Sequence, residues 1–134
     1  MRVIDLPWTS LATLFAVGLY FWTSVRVGQT RARTGLKAPA VTGDPLFERT
    51  YRVQANTLEW LPIFLPALWL CAIYVGDRFA ALFGIVWVVG RLVYAQAYVA
   101  DPAKRGTGFA VQATAALVLM LAALGGVVRA LLGF

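Results

Sequence analysis

Long apolar segments separated by clusters of charge dominate the pattern along this chain. Four stretches are nearly free of charged residues, and they comprise residues 6–25, 53–76, 79–100 and 106–128. Only Glu59 interrupts the second stretch, and only Arg91 interrupts the third. Each stretch is close to the roughly 20 residues that an α-helix needs to cross ~30 Å of hydrocarbon. The pattern therefore predicts four transmembrane helices within one domain of residues 1–134, at roughly 6–26, 52–76, 79–101 and 106–131.

The overall composition supports this interpretation. Hydrophobic residues make up 60% of the chain and charged residues 13%, with a mean hydropathy of +0.74, which is too apolar for an ordinary soluble domain. Backbone polar groups must bond internally in lipid, so such segments cross the membrane as helices. A cleavable signal peptide is the alternative for the first segment, but its apolar run is too long and lacks a small-residue cleavage pattern. We therefore expect an all-α, integral membrane four-helix bundle.

The net charge of +6 comes mainly from cations in two of the three connections. The first connection and its flanks hold Arg26, Arg31, Arg33, Lys37, Arg49 and Arg52, and the third holds Lys104 and Arg105. The opposite side has Arg2, Arg78 and Arg129. Because positive residues favour the cytoplasmic side, the first and third connections are predicted to face the cytoplasm, at the plasma (inner) membrane if the source is bacterial. No soluble basic domain remains that could bind nucleic acid.

The residue types that the chain lacks exclude several kinds of site. It has no histidine and a single cysteine, Cys71, which lies deep in the second apolar stretch. A zinc or iron site of the His/Cys type is therefore excluded, as is a Ser–His or Cys–His nucleophile pair. We expect no metal, and we expect Cys71 to pack in the core.

Two polar stripes run along the second and third predicted helices. On the second, four residues fall within about 80° of one another, and they are Arg49, Arg52, Asn56 and Glu59. On the third, four residues fall within about 60° if the helix continues past Asp101, and they are Arg91, Tyr94, Tyr98 and Arg105. The two stripes lie at matched distances from the turn at Asp77, so they are predicted to face each other or a shared cleft. Pro62 and Pro66 predict a bend in the second helix that would open this cleft.

Glu59 and Arg91 are the most informative of these residues. A charge at bilayer depth costs roughly 2.5–3.5 kcal/mol, so such residues usually face a partner or a functional cavity. Arg91 is therefore either a structural partner of Glu59 or part of a site. The other arginines could instead be interfacial anchors, and the tyrosines could belong to an aromatic belt.

The segment "FERTYRVQANTLEWLP" resembles the signature of the MAPEG superfamily, the membrane-associated proteins in eicosanoid and glutathione metabolism. Its likeness is to the branch of leukotriene C synthases and microsomal glutathione transferases. "RLVYAQAY", from Arg91 to Tyr98, followed by Arg105, resembles the third-helix pattern of that branch. The resemblance extends without a gap from about Ser24 to Arg105.

This resemblance implies a homotrimer of four-helix subunits that binds glutathione between neighbouring subunits near the cytoplasmic face. The positions matching glutathione-binding residues of one subunit are Arg52, Asn56, Glu59, Tyr94 and Tyr98. The positions matching contacts from the next subunit are Arg31, Gln54 and Ser24. Arg105 matches the catalytic arginine that stabilises the thiolate.

The chemistry of glutathione agrees with these residue types. Arginines can bind its two carboxylates through paired hydrogen bonds, and Glu59 can bind its ammonium. A thiol with a pKa of about 8.5 is mostly protonated at neutral pH, and a neighbouring guanidinium can lower that pKa by roughly 1–3 units. The expected activity is conjugation of the glutathione thiolate to a lipophilic electrophile from the membrane, and peroxidase or leukotriene C synthase-like activity would use the same thiolate.

Two departures from the family pattern and two other functions qualify this hypothesis. Trp60 stands where the leukotriene branch has tyrosine, and Asp101-Pro102 interrupts the third helix just before Arg105. The chain could instead be a non-catalytic lipid-binding member of the family. It could also be a small proton-coupled multidrug transporter, although such transporters depend on a carboxylate in the first helix, which is absent here.

Overall fold

The computed structural model describes residues 5–133, so Arg2, which entered the argument on orientation, lies outside the described residues. Four long helices follow one another along the chain, and they are α1 (Pro7–Thr34), α2 (Pro45–Tyr74), α3 (Asp77–Ala100) and α4 (Gly106–Leu131). A three-residue 3-10 turn, Pro102–Lys104, joins the last two. Each helix is long and apolar enough to cross a membrane, which confirms the predicted fold class apart from the trimer.

The first two helices are longer than the apolar stretches from which they were predicted. Helix α1 continues to Thr34, where Gly35 adopts a left-handed φ of 73° and donates its backbone N–H to the Arg31 carbonyl. Helix α2 begins at Pro45, and the side chain of the preceding Asp44 accepts a hydrogen bond from the Phe47 backbone N–H at 3.0 Å. Hydropathy marks where the hydrocarbon ends, whereas capping residues mark where a helix ends. Both helices therefore extend beyond their apolar stretches, on the side of the first connection.

Helices α2 and α3 form the centre of the bundle, because each packs against all three other helices. Small residues allow close approach, as where Ala12 and Ala16 of α1 are fully buried in the core. In the same core Phe64 of α2 stacks on Trp87 of α3, with ring centroids 4.0 Å apart. Cys71 is also fully buried, and α2 remains α-helical through Pro62 and Pro66.

The end of the bundle at the α2–α3 turn is fixed by Asp77. Helix α1 has no side-chain cap of its own. Instead, the Asp77 carboxylate accepts hydrogen bonds from the backbone N–H groups of Trp8, at 3.1 Å, and Thr9, at 2.7 Å. This bond set satisfies two of the free N–H groups that every helix start exposes. It ties the start of α1 to the start of α3, at the end opposite the predicted site.

Candidate functional site

The polar stripe of α2 is held together by an ion pair between Arg52 and Glu59. The two guanidinium nitrogens of Arg52 donate to the two Glu59 carboxylate oxygens at 3.1 and 3.5 Å. Their side chains are 51% and 54% exposed on the single subunit. The Asn56 side-chain amide, which lies between them on the stripe, donates to Glu59 Oε2 at 3.4 Å. Arg52, Asn56 and Glu59 therefore form one connected group on the surface of α2.

Arg91 bonds to this group from inside the bundle. Its contact is with Asn56 and not with Glu59, the partner that the sequence suggested as one alternative. Its Nη1 donates to Asn56 Oδ1 at 2.7 Å, and its Nη2 donates to Thr57 Oγ1 at 2.7 Å. The residue is 1% exposed, and its guanidinium lies 4.4 Å from the Tyr94 ring centroid. Among residues 5–133, the one salt bridge joins Arg52 to Glu59. The idea that Arg91 pairs directly with Glu59 was therefore wrong, because Glu59 finds a nearer cation on its own helix.

The α3–α4 turn brings Arg105 back towards the tyrosines even though α3 does not continue to it. Helix α3 ends at Ala100 because Pro102 disfavours a helical conformation at the residue before it, and Asp101 is extended with φ −156°. The 3-10 turn then reverses the chain. Arg105 comes to lie 6.0 Å from the ring centroid of Tyr98, which itself stacks on Tyr94 at 5.6 Å.

A half-open cavity of about 380 Å³ lies between α2, α3 and the start of α4. Its lining residues are Arg52, Asn56, Tyr94, Tyr98, Arg105 and Phe109. The volume is within the range of small-molecule sites. We call Arg52, Asn56, Glu59, Tyr94, Tyr98 and Arg105 the pocket group, since Glu59 bonds to two of the lining residues.

Three of the residues predicted to bind glutathione lie elsewhere. Gln54 Nε2 donates to Ser24 Oγ of α1 at 3.0 Å. Arg31 Nη1 donates to the Ala40 carbonyl at 2.7 Å, and its guanidinium lies 4.4 Å from the Phe47 ring centroid. We call Ser24, Arg31 and Gln54 the flank group. On α2, Gln54 points about 140–160° away from the pocket-group residues of that helix, so the flank group occupies the α1 side of that helix.

The comparison with family models decides the classification. The MAPEG family model matches residues 9–125, which is most of the chain and includes both groups. The chain belongs to the MAPEG family. A protein described as uncharacterised from Synechocystis sp. is 44% identical over 92% of this chain and 90% of its own length.

Relatives with named activities belong to two kinds of enzyme. Microsomal glutathione S-transferase 2 of Homo sapiens is 40% identical, over 76% of this chain and 70% of its own length. Leukotriene C4 synthase of Bos taurus is 39% identical, over 84% of this chain and 76% of its own length. As a MAPEG protein with four apolar helices, the chain is a multi-pass membrane protein.

Phe109 is the pocket residue that was not predicted from the sequence of this MAPEG chain. Its ring centroid lies 6.3 Å from that of Tyr94 and 5.7 Å from that of Trp60, which meets it edge-on. Phe109 reaches this place because Gly108 lets α4 contact the backbone of α3, where a Cβ would lie 2.8 Å from the Gly90 carbonyl oxygen. The one available signal was the position of Phe109, one helical turn after Arg105.

The described part of this MAPEG chain also shows what the site does not contain. Within residues 5–133 there is no group of three or more His, Cys, Asp or Glu residues that could hold a metal ion. The polar residues that line the cavity instead carry guanidinium, amide and phenol groups, and the Glu59 carboxylate bonds to two of them. This donor set suits an organic ligand with several charges of both signs.

Proposed function

We propose that the protein is a membrane-embedded glutathione transferase that conjugates the glutathione thiolate to lipophilic electrophiles. The observation that carries the proposal is the pocket group, in which Arg52 and Arg105 line one cavity with two tyrosines and Glu59 pairs with Arg52. Glutathione transferase relatives at about 40% identity support it. Glutathione carries two carboxylates and one ammonium, so cations and a carboxylate on one small cavity suit its charges.

The charge balance of the cavity favours a ligand with net negative charge. Arg52 and Arg105 line it, and Arg91 lies buried behind Asn56 with neutral oxygens as its hydrogen-bond acceptors. Glu59 supplies the one carboxylate of the pocket group and is already shared with Arg52. We propose that Arg52 binds a glutathione carboxylate, that Glu59 binds the ammonium, and that Asn56 and the tyrosine hydroxyls donate neutral hydrogen bonds.

Arg105 is the proposed catalytic residue. Its guanidinium lies against Tyr98 at the edge of the cavity, and a cation beside the glutathione sulfur lowers the pKa of that thiol. A decrease of two units corresponds to about 2.7 kcal/mol and makes the thiolate the major form at neutral pH. The electrophile would arrive from the lipid along the apolar wall that Phe109 and Trp60 form beside Tyr94.

We also propose that the functional unit is a homotrimer in which the pocket group of one subunit meets the flank group of the next. The two groups lie on opposite sides of α2, a helix about 10 Å across, so one small ligand cannot contact both groups of the same subunit. The half-exposed Arg52–Glu59 pair also needs protein or water around it at membrane depth. A head-to-tail contact that closes into a ring satisfies both requirements.

The orientation that we propose puts the first and third connections in the cytoplasm, at the plasma membrane if the source is bacterial. Lys37 and Lys104 lie in these connections, and the arginine-rich ends of α1 and α2 adjoin the first. Glutathione from the cytosol would then reach the cavity of the pocket group directly.

A binding and turnover experiment on the purified protein tests the proposal. In detergent, the wild-type protein should bind glutathione, show ultraviolet absorbance of a bound thiolate and conjugate a generic aromatic electrophile. A lipid-binding member of the family would bind fatty acids but show none of these three signals, and that result would overturn the proposal.

A subunit-mixing experiment tests the shared site. One parent carries Arg105→Ala in the pocket group, and the other carries Arg31→Ala with Gln54→Ala in the flank group. Random mixing should restore about a quarter of the sites, because some neighbours then combine two intact groups. If each site were built from one chain alone, mixing would restore no activity.

A further inference from the structure

The Arg91 side chain makes an unusual set of contacts for a buried charge. It is 1% exposed, and its two terminal nitrogens bond to Asn56 and Thr57 at 2.7 Å each. Burying a charge is costly unless the charge is paired with an opposite charge and well hydrogen-bonded. No carboxylate of residues 5–133 lies within salt-bridge distance of it. A bond set made of an amide oxygen and a hydroxyl stabilises the charge weakly, so charge neutralisation does not explain the residue.

The bond to Asn56 has a geometric consequence. Arginine can only donate hydrogen bonds, so the atom of the Asn56 amide that faces Arg91 must be the oxygen. The amide nitrogen is then turned to the opposite side, where it donates to Glu59 Oε2 at 3.4 Å, and Asn56 is one of the residues that line the cavity. Arg91, at 2.7 Å from the amide oxygen, and Glu59, at 3.4 Å from the amide nitrogen, therefore select the same orientation of a reversible side-chain amide, and Arg91 makes the shorter of the two bonds.

A second contact fixes the tyrosine beside it. The Arg91 guanidinium lies 4.4 Å from the Tyr94 ring centroid, and Tyr94 stacks in turn on Tyr98 at 5.6 Å. Thr57 holds the guanidinium from the other side, since its hydroxyl donates to the Val53 carbonyl at 2.7 Å and accepts from Arg91. The guanidinium is therefore held by contacts with both α2 and α3. Two of the residues that it contacts, Asn56 and Tyr94, belong to the pocket group.

We propose that Arg91 is a positioning residue for glutathione. It orients the Asn56 amide as a donor towards the ligand and holds the Tyr94 ring in place, without touching the ligand itself. The proposal rests on the proposed function for its ligand, although the orientation of Asn56 can be measured without one.

The first experiment compares glutathione binding and turnover of the purified full-length wild type, Arg91→Met and Arg91→Lys. Arg91→Met should raise both Kd and KM for glutathione roughly tenfold, the loss expected when one hydrogen bond to a charged group is no longer pre-oriented. The turnover rate at saturating glutathione and the pKa of the bound thiol should stay within about twofold of wild type, since Arg105 is intact. Arg91→Lys keeps one donor and should recover part of the affinity.

Arg78→Met is the matched control, because it removes an exposed arginine from the other end of α3. It should leave the Kd for glutathione unchanged.

A double-mutant cycle with Asn56→Ala tests whether Arg91 affects glutathione binding through Asn56. If Arg91 acts through Asn56, Arg91→Met should weaken binding far less in the Asn56→Ala background than in wild type.

Two readouts separate this proposal from a purely structural role and from failure of the proposed function. The Asn56 side-chain amide signals in NMR should be slowly exchanging in wild type and should change in Arg91→Met and Arg91→Lys, with or without glutathione. A lower thermal midpoint in both Arg91 variants with unchanged Kd, or additive effects in the cycle, would overturn the proposal. A wild type that binds no glutathione would overturn the proposed function, and the Asn56 signals would then still test the positioning.

Discussion

The pocket group and the flank group differ in how complete each is on a single subunit. The pocket group gathers side chains from α2, α3 and the turn before α4 around one cavity. The flank group is dispersed, and its members bond to one another or to nearby backbone, as Gln54 does to Ser24 and Arg31 does to Ala40. A ligand could bind to the first group without help, whereas the second group offers a few donors at an edge. Under the proposed function, we therefore expect specificity for glutathione to reside mainly in the pocket group, with the flank group of a neighbouring subunit completing the site.

The largest effect is expected for Arg105→Ala, which removes the proposed catalytic cation from the pocket group. Arg105→Ala should leave glutathione affinity within a few-fold, because Arg52 and Glu59 remain. The pKa of the bound thiol should rise towards its free value. For a rise of two units, turnover should fall about 25-fold at pH 7 and up to about 100-fold, equivalent to about 2.7 kcal/mol, at pH values below the wild-type pKa. Because the rise leaves the thiol protonated at neutral pH, raising the pH should restore part of the rate.

The measurement is a pH–rate profile with a generic aromatic electrophile. Lys104→Ala, which removes an exposed cation from the same turn, is the control and should keep the wild-type profile. Identical profiles for wild type and Arg105→Ala would transfer the role to Arg52 or Arg31.

The next largest effect is expected when the one negative charge of the pocket group is removed, which tests how far this group alone determines glutathione affinity. Glu59→Gln keeps the shape of the side chain but removes the proposed partner of the glutathione ammonium, and affinity should fall by roughly 2 kcal/mol. Calorimetric titration with glutathione measures this loss, and Glu48→Gln, an exposed acid in the first turn of the same helix, is the control. Wild-type affinity combined with a lower thermal midpoint would mean that Glu59 serves only to pair with Arg52.

The sequence predicted the helices and the pocket group for simple physical reasons. Charge-free runs of membrane length located α1 to α4, and helical spacing put Asn56, Glu59, Tyr94 and Tyr98 at matched heights. The predicted bounds missed the end of α1 and the start of α2 because hydropathy measures lipid contact, although Gly35 and the Asp44-Pro45 pair carried capping signals.

Other contacts depend on how the helices pack against one another. The spacing of residues along a single helix could not predict them. Spacing could not show that Glu59 pairs with Arg52 while Arg91 bonds to Asn56, since both arrangements fit the same stripes. Phe109 enters the pocket only because α4 approaches α3 closely at Gly108. The flank group was identified by resemblance alone, and its proposed role needs a neighbouring subunit.

A smaller effect tests the packing that assembles the pocket group. A Cβ at Gly108 would lie 2.7 Å from the Tyr94 Cα, and these backbone atoms cannot move easily. Gly108→Ala should therefore push α4 away from α3, lower stability by roughly 1–2 kcal/mol and weaken glutathione binding. Gly106→Ala, where a Cβ meets nothing within 4 Å, is the control and should be neutral or slightly stabilising. Thermal unfolding in detergent measures both, and equal midpoints would contradict the close approach.

The smallest effect concerns the flank group, where binding and structure must be separated. Gln54→Ala and Ser24→Ala each remove the 3.0 Å bond between α2 and α1, so both should lower stability by a similar amount, about 0.5–1 kcal/mol. Only Gln54→Ala also removes an amide that could reach the neighbouring pocket group. If that contact exists, Gln54→Ala should weaken glutathione binding by about 0.5–1 kcal/mol more than Ser24→Ala does, and the difference should vanish in protein dissociated to monomers. Equal affinities in the assembled protein would show that Gln54 only joins two helices, and the asymmetry between the two groups would then reflect packing rather than a shared site.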